Sequence, residues 1–281
     1  MKKLLLVFPH PDDESFTCGG TIAKYVAAGW DVHLVCATRG EVGERGALGE
    51  TSDEDFGQVR QKELEAAGTI LGLSTITFLG FKDGTLSKLS PGELEDRVFR
   101  EMVRLVPHVV ITYEPRGITN HPDHMKLTIA TTVAFQRFVL DVADLPQFAD
   151  LAGARQRRLG HTYKASFEEC LALEHAPRLY YACLPETVVG YLKKLKIISN
   201  ESFGKPLEGT PDKFITTVID VKRFQSKKVK ALQAHQSQTA DAQRLLSLAK
   251  NPLFMNEYFI LRMSGYDEVF MGKNDTVSNR L

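Results

Sequence analysis

The sequence has no excess of charge of either sign. Lys+Arg and Asp+Glu number 35 each, so the 281-residue chain has a formal net charge of zero. Domains that grip nucleic acid usually carry a basic excess, so no nucleic-acid partner is expected. Long hydrophobic runs are also missing. Nothing approaches the ~18 consecutive apolar residues of a membrane span, so no membrane partner is expected either. The apolar start, Leu4–Phe8, is shorter than the roughly seven residues of a secretory core and runs directly into His10-Pro11-Asp12-Asp13. It reads as a buried first strand of a cytoplasmic protein. Cysteine is scarce: Cys18, Cys36, Cys170 and Cys183 form no C-x-x-C pair. That argues against a thiolate zinc site or redox motif and fits reduced, mostly buried thiols. The turn after the first strand lacks the glycines of a dinucleotide or phosphate loop, which argues against a nucleotide-binding enzyme. Internal repeats and low-complexity tracts are absent as well.

What is present suits a globular enzyme. Hydrophobic residues make up 43% and charged residues 25%, enough for a sizeable core. A pI near 7.1 removes net repulsion between copies and permits a homo-oligomer. Short apolar runs at Leu4–Phe8, Val32–Ala37, Thr75–Leu79 and His108–Thr112 alternate with helical patterns at Thr21–Gly29, Gly57–Leu71, Pro91–Val106 and Met125–Leu140. This alternation predicts an α/β fold, a Rossmann-like and mostly parallel sheet with helices on both faces. The tail adds predicted strands at Leu179–Ala182 and Phe214–Val218 and a helix over Val221–His235. Residues 1–281 read as a single domain with an insertion or lid around 141–177, where a basic cluster, Arg155-Gln156-Arg157-Arg158, interrupts the pattern.

Such sheets bind ligands beyond the carboxyl ends of their strands. Two polar motifs fall there. His10-Pro11-Asp12-Asp13-Glu14 follows the first strand, and Asn120-His121-Pro122-Asp123-His124 follows the strand ending near Thr112. His10, Asp13 and His124 offer two imidazoles and a carboxylate, a donor set for one zinc ion with a fourth position left for water. The same set can hold ferrous iron. Either motif alone is also an ordinary turn, since Pro and Asp are turn residues. Two of them, each after a strand, favour the metal.

Together these motifs resemble the LmbE-like (PIG-L type) N-acetylglucosaminyl deacetylase family. Further matches are Thr38-Arg39-Gly40-Glu41-Val42-Gly43, Val59-Arg60-Gln61-Lys62-Glu63-Leu64, Tyr113-Glu114-Pro115-Arg116-Gly117 and His235-Gln236-Ser237-Gln238. The similarity spans residues 3–140 well and the remainder loosely. It implies a zinc ligand set of His10, Asp13 and His124, with Asp12 as general base. It also implies that His121, positively charged, stabilises the oxyanion, and that Asp123 orients His121 and raises its pKa. Spacing alone does not decide between Asp12 and Asp13 as ligand or base. Arg60 and Asp83 match positions that contact the sugar, although an exposed helix arginine and an Asp-Gly turn would look the same. Glu14 reads either as support for a ligand histidine or as a helix-start charge. His235 reads either as a core histidine or as support for the site. Some relatives place a tyrosine two residues before His121. Here Thr119 stands there, leaving Tyr180 or Tyr181 to supply any phenol.

The implied function is zinc-dependent removal of acetyl from a small N-acetylglucosamine-containing molecule. Two alternatives remain. One is the same hydrolysis on another N-acyl substrate, such as an acyl amino acid or a thiol conjugate. The other is a non-catalytic metal-binding protein. A closed structural zinc site would need four protein ligands and no Asp12 or His121.

Overall fold

In the computed structural model, residues 1–45, 51–143, 176–238, 243, 246–248, 251–265, 267–268 and 277–281 are described. In chain order the elements are β1 (Lys3–Phe8), α1 (Asp13–Ala27), β2 (Asp31–Cys36), α2 (Asp53–Leu71), β3 (Thr75–Phe78), α3 (Glu93–Leu105), β4 (Val109–Tyr113) and α4 (Pro122–Ala143). They continue as β5 (Arg178–Cys183), α5 (Glu186–Lys194), a short hairpin of β6 (Glu201–Ser202) and β7 (Lys205–Pro206), β8 (Thr217–Asp220), α6 (Gln225–Ala234), β9 (Asn256–Ser264) and β10 (Asp267–Glu268).

The strands β1 and β2 are buried at all but their first residue, and β4 throughout. Continuous burial marks strands covered on both faces. Alternate side chains enter opposite layers. Leu5, Val7, Val35 and Val110 pack with Val98 and Met102 of α3 and Leu127 and Phe135 of α4. Leu4, Leu6, Phe8 and Ile111 pack with Ile22 of α1, Leu64 of α2 and Ala231 of α6. Burying each of the larger side chains contributes about 1.5–3 kcal/mol.

The sheet runs β10-β9-β5-β4-β1-β2-β3, with β8 also paired to β9. From β3 to β5 every pairing is parallel, and β9 joins β5 antiparallel. The predicted α/β class and mostly parallel sheet are therefore observed. The chain lays β2 and β3 to one side of β1, then returns to place β4 and β5 on the other. The order thus reverses between β1 and β4, and a crevice opens at the carboxyl ends of that pair.

Several boundaries differ from expectation for physical reasons. The first helix begins at Asp13 rather than Thr21, running through Gly19-Gly20, residues that weaken helices. A Cβ on Gly20 would lie 2.5 Å from Val221 Cβ, so only glycine fits that crossing. The Gly20 and Thr21 amides also donate to Glu257 Oε1 and Oε2 at 2.9 and 2.7 Å, and Lys228 Nζ reaches the same carboxylate at 2.6 Å. The fourth helix begins at Pro122 rather than Met125, because proline suits a first helical position whose N–H is not needed. The tail strand starts at Thr217, after a 3₁₀ turn over Asp212–Phe214. The expected insertion at 141–177 lies almost wholly outside the described residues. No described helix is long and apolar enough to cross a membrane. Cys18, Cys36 and Cys183 are free and buried.

Candidate active site

The β1 loop presents His10, Asp12 and Asp13. Asp12 adopts φ 110°, a region that L residues rarely occupy. Its N–H donates to Glu14 Oε2 at 3.1 Å, and its carbonyl accepts the first amides of α1 from Ser15 and Phe16. Glu14 is in turn held by Ser15 Oγ at 2.5 Å and by His235 Nε2 at 3.0 Å. This chain of contacts fixes the turn from which Asp12 and Asp13 diverge.

The β4 loop brings His124 across. His10 Nδ1 and His124 Nε2 stand 3.2 Å apart. Asp13 presents Oδ2 to His10 Nδ1 at 3.5 Å and Oδ1 to His124 Nε2 at 3.6 Å. The Nδ1 of His124 faces the Gly117 carbonyl at 3.0 Å, so the proton belongs on Nδ1 and the Nε2 lone pair points inward. Gly117 has φ +63°, and a Cβ there would lie 2.3 Å from His124 Cβ. On its other edge, His10 Nε2 lies 2.9 Å from Asp83 Oδ1 and 3.6 Å from Asp123 Oδ2. The Asp83 contact is charge to charge rather than an aligned hydrogen bond. Both carboxylates favour the tautomer that leaves Nδ1 free to bind an ion.

These donors fit a divalent metal. Tetrahedral bonds of about 2.0–2.1 Å set ligand atoms roughly 3.3–3.4 Å apart. The two imidazole nitrogens, 3.2 Å apart, lie close to that, and Asp13 approaches them through different oxygens, Oδ2 at 3.5 Å and Oδ1 at 3.6 Å. Two other groupings, taking one donor atom per residue, lie within 4.8 Å of one another: His10, His121 and His124, and His10, Asp83 and Asp123.

Burial would raise the Asp13 carboxyl, but His124, His10 and the Tyr113 hydroxyl hold it well below the usual carboxylate range. Burial lowers His124 to about 4. It would lower His10 too, but the Asp123, Asp13 and Asp83 carboxylates raise it well above its ordinary value. An incoming metal must displace that proton, so its affinity rises with pH. Asp12 is pushed up to about 7, chiefly by burial, with Arg60 opposing and Asp13 adding.

Several expected roles come out differently. Arg60 is buried, and its guanidinium is engaged: Nη2 donates to the Pro11 carbonyl at 2.5 Å and to Asp12 Oδ2 at 3.1 Å, and Nη1 to the Gly40 carbonyl at 3.0 Å. It braces Asp12 rather than offering a free fork to a sugar. Asp83 faces His10 and accepts the Val42 amide at 3.2 Å. The Asp123 carboxylate accepts the Gly84 and Leu86 amides at 2.7 and 3.1 Å, and it supports His10 rather than His121. His121 Nδ1 accepts the Asp123 amide at 3.1 Å, leaving its proton on Nε2. Burial, then repulsion from His10, lowers the His121 pKa, opposite to the expected rise, so it is neutral near pH 7.

The phenol of the site is one that the sequence reading overlooked. Tyr113 OH donates to Asp13 Oδ1 at 2.7 Å, and its ring stacks on His124 with centroids 4.6 Å apart. Tyr181 instead pairs with Thr132 at 2.7 Å, on the α4 side of the sheet. The available signal was position: Tyr113 ends a strand adjacent to β1.

Known proteins resemble this chain over most of its length. The family described as PIG-L, GlcNAc-PI de-N-acetylase, matches residues 5–135. A 1D-myo-inositol 2-acetamido-2-deoxy-alpha-D-glucopyranoside deacetylase from Rhodococcus jostii (strain RHA1) is 31% identical over 92% of this chain and 91% of its own. The chain belongs to the PIG-L family. Among solved structures, the N,N'-diacetylchitobiose deacetylase of Pyrococcus horikoshii aligns with TM-score 0.60 and 21% identity over 94% of this chain and 84% of its own. GalB, the 4-carboxy-2-hydroxymuconate hydratase of Pseudomonas putida KT2440, aligns with TM-score 0.61 and 18% identity over 96% of this PIG-L chain and all of its own. These two likenesses show the fold alone; a fold hosts many reactions, and the site must carry the functional argument.

Proposed function

We propose that this PIG-L family protein hydrolyses the N-acetyl group of a small GlcNAc-containing glycoside, with one zinc ion held by His10, Asp13 and His124. The observation that carries the reading is the convergence of those donors beside the Asp12 carboxylate. Asp12, Asp13 and His124 line one end of a single cavity. Zinc bound there would polarise the acetyl carbonyl and make water a nucleophile near neutral pH.

The chain's own residues supply the rest. Asp12, with a pKa near 7, is poised to take a proton from the attacking water and return it to the departing amine. Without that proton the amine is a poor leaving group. Arg60 and Glu14 hold Asp12 by side chain and backbone respectively. Neutral His121, with its proton on Nε2, donates to the oxygen on which negative charge develops. The C–N bond breaks, and acetate and the free amine leave. The cytoplasmic setting belongs to the same proposal and is supported by the free buried thiols.

The test follows acetate release from N-acetylglucosamine and a panel of its soluble glycosides, with bound metal identified and counted. Zinc-dependent release that falls about 10²–10⁴-fold in Asp12→Asn, metal retained, is the expected result. Iron in place of zinc would change only the ion. A protein that binds no stoichiometric metal would overturn the proposal.

A further inference from the structure

The cavity that begins at Asp12, Asp13 and His124 does not end there. It encloses about 400 Å³ and runs between α1, α5 and α6. Its walls beyond the mouth are mostly apolar, including Phe16, Val188, Leu192, Ile197, Val229 and Phe254. An acetyl group needs room for one methyl. This space instead falls within the roughly 300–1,000 Å³ of clefts that bury a whole small molecule. Protein interiors hold few voids larger than water, and empty apolar space is costly. This chamber instead opens outward beside Asp12, Asp13 and His124, so it can admit a substituent far larger than methyl.

The charge in the chamber wall defines that occupant. Lys228 is paired with Glu257 at 2.6 Å, and Glu257 also accepts the Gly20 and Thr21 amides. That ammonium is neutralised, and the carboxylate's oxygens are engaged. Neither charge is free for an ionic ligand, so the deep part of the chamber suits a neutral, apolar group.

We infer that the substrate carries, close to the amide, an alkyl or aryl group far larger than methyl, seated in this chamber. The inference rests on the proposed amide hydrolysis and narrows its substrate class. The apolar group can be attached in two ways: as a longer acyl chain, or as an alkyl aglycone on an N-acetylated sugar.

Two substrate series separate these sources: methyl, butyl and octyl glycosides of N-acetylglucosamine, and glucosamine bearing N-acetyl, N-butanoyl or N-octanoyl. In one series kcat/KM should rise about four-fold per methylene buried. Val229→Trp, which fills the chamber from α6, should abolish that rise and leave acetate release from N-acetylglucosamine within about two-fold, as expected for a site away from the chemistry. Val188→Phe fills it independently from α5, should one variant fold poorly. Flat profiles in both series, with N-acetylglucosamine still cleaved, would overturn the inference, as would a rise that survives both fillings. If no sugar amide is cleaved, the proposed function fails on its own. Calorimetry with octyl and methyl β-glucoside then decides the chamber. Tighter octyl binding that is lost in Val229→Trp upholds it, and equal binding overturns it.

Discussion

The two sides of the crevice are built on opposite plans. On the β2–β3 side, side chains near the metal donors are engaged by other protein groups: Asp83 by His10 and Val42, Asp123 by two loop amides, Arg60 by two carbonyls and Asp12. On the α5–α6 side the wall is mostly apolar and borders open space. The side chains of the first flank that stand nearest the proposed ligands are taken up by one another, while a second cavity of about 450 Å³ lies farther out among Arg39, Glu41, Asp53 and Lys82. The second flank anchors α1 and the Asp12 turn through Glu257, Lys228 and His235, and leaves apolar surface facing the cavity. On the proposed reading, positioning and recognition would be divided between the two flanks of one sheet.

The largest effect that would test this division is Asp13→Ala. It removes a proposed ligand together with the acceptor of both the His10 amide and the Tyr113 hydroxyl. Metal content should fall well below one per chain and acetate release to background, a loss beyond the roughly 10–100-fold typical of outer partners. Asp83→Asn should show that smaller loss, with metal affinity down about 10–100-fold in a chelator titration. Its preference among alkyl chain lengths should not change. A shifted preference would mean that the polar side recognises after all. Gly117→Ala must push His124 or strain a left-handed residue, at a cost of about 1–3 kcal/mol. Thermal unfolding with and without metal should show the larger drop when metal is present, because the displaced group is a donor.

The smallest effect concerns His235. Burial would lower its pKa, but Glu14 reverses this and holds it above the ordinary value. The pair's stabilisation is then complete below about pH 6.5, the unfolded value. It is lost as pH rises through the higher folded value. Urea unfolding from pH 6 upward should show stability declining. His235→Gln keeps an N–H for Glu14 but cannot titrate, so it should flatten that decline. An unchanged slope would place its origin elsewhere.

The flank that carries the proposed ligands was largely legible in the sequence, because its donors sit in two short motifs after apolar runs. His10, Asp13 and His124 come together as those motifs suggest, and the alternation of strands and helices foretold the sheet that gathers them. What local pattern could not show was how side chains are engaged once folded. Arg60 and Asp83 carry the right groups for a sugar, but folding gives them buried protein partners. Glu14 and His235 meet across 221 residues of chain, a separation that no periodicity reports. The antiparallel β9 went unread, as did α5 and with it part of the apolar flank. Short apolar stretches without a flanking motif do not announce their neighbours.

The carboxylate of Glu257 has a consequence for how the enzyme is made. It reaches from β9 to two amides inside the helix that starts at Asp13. A nascent chain that has released only its first 135 residues already carries every proposed ligand, but it lacks the acceptor for those amides and the strand that flanks β5. The crevice therefore matures late in synthesis, when β9 threads in antiparallel beside β5. A fragment trimmed to the segment that matches the family would hold the motifs without holding their shape.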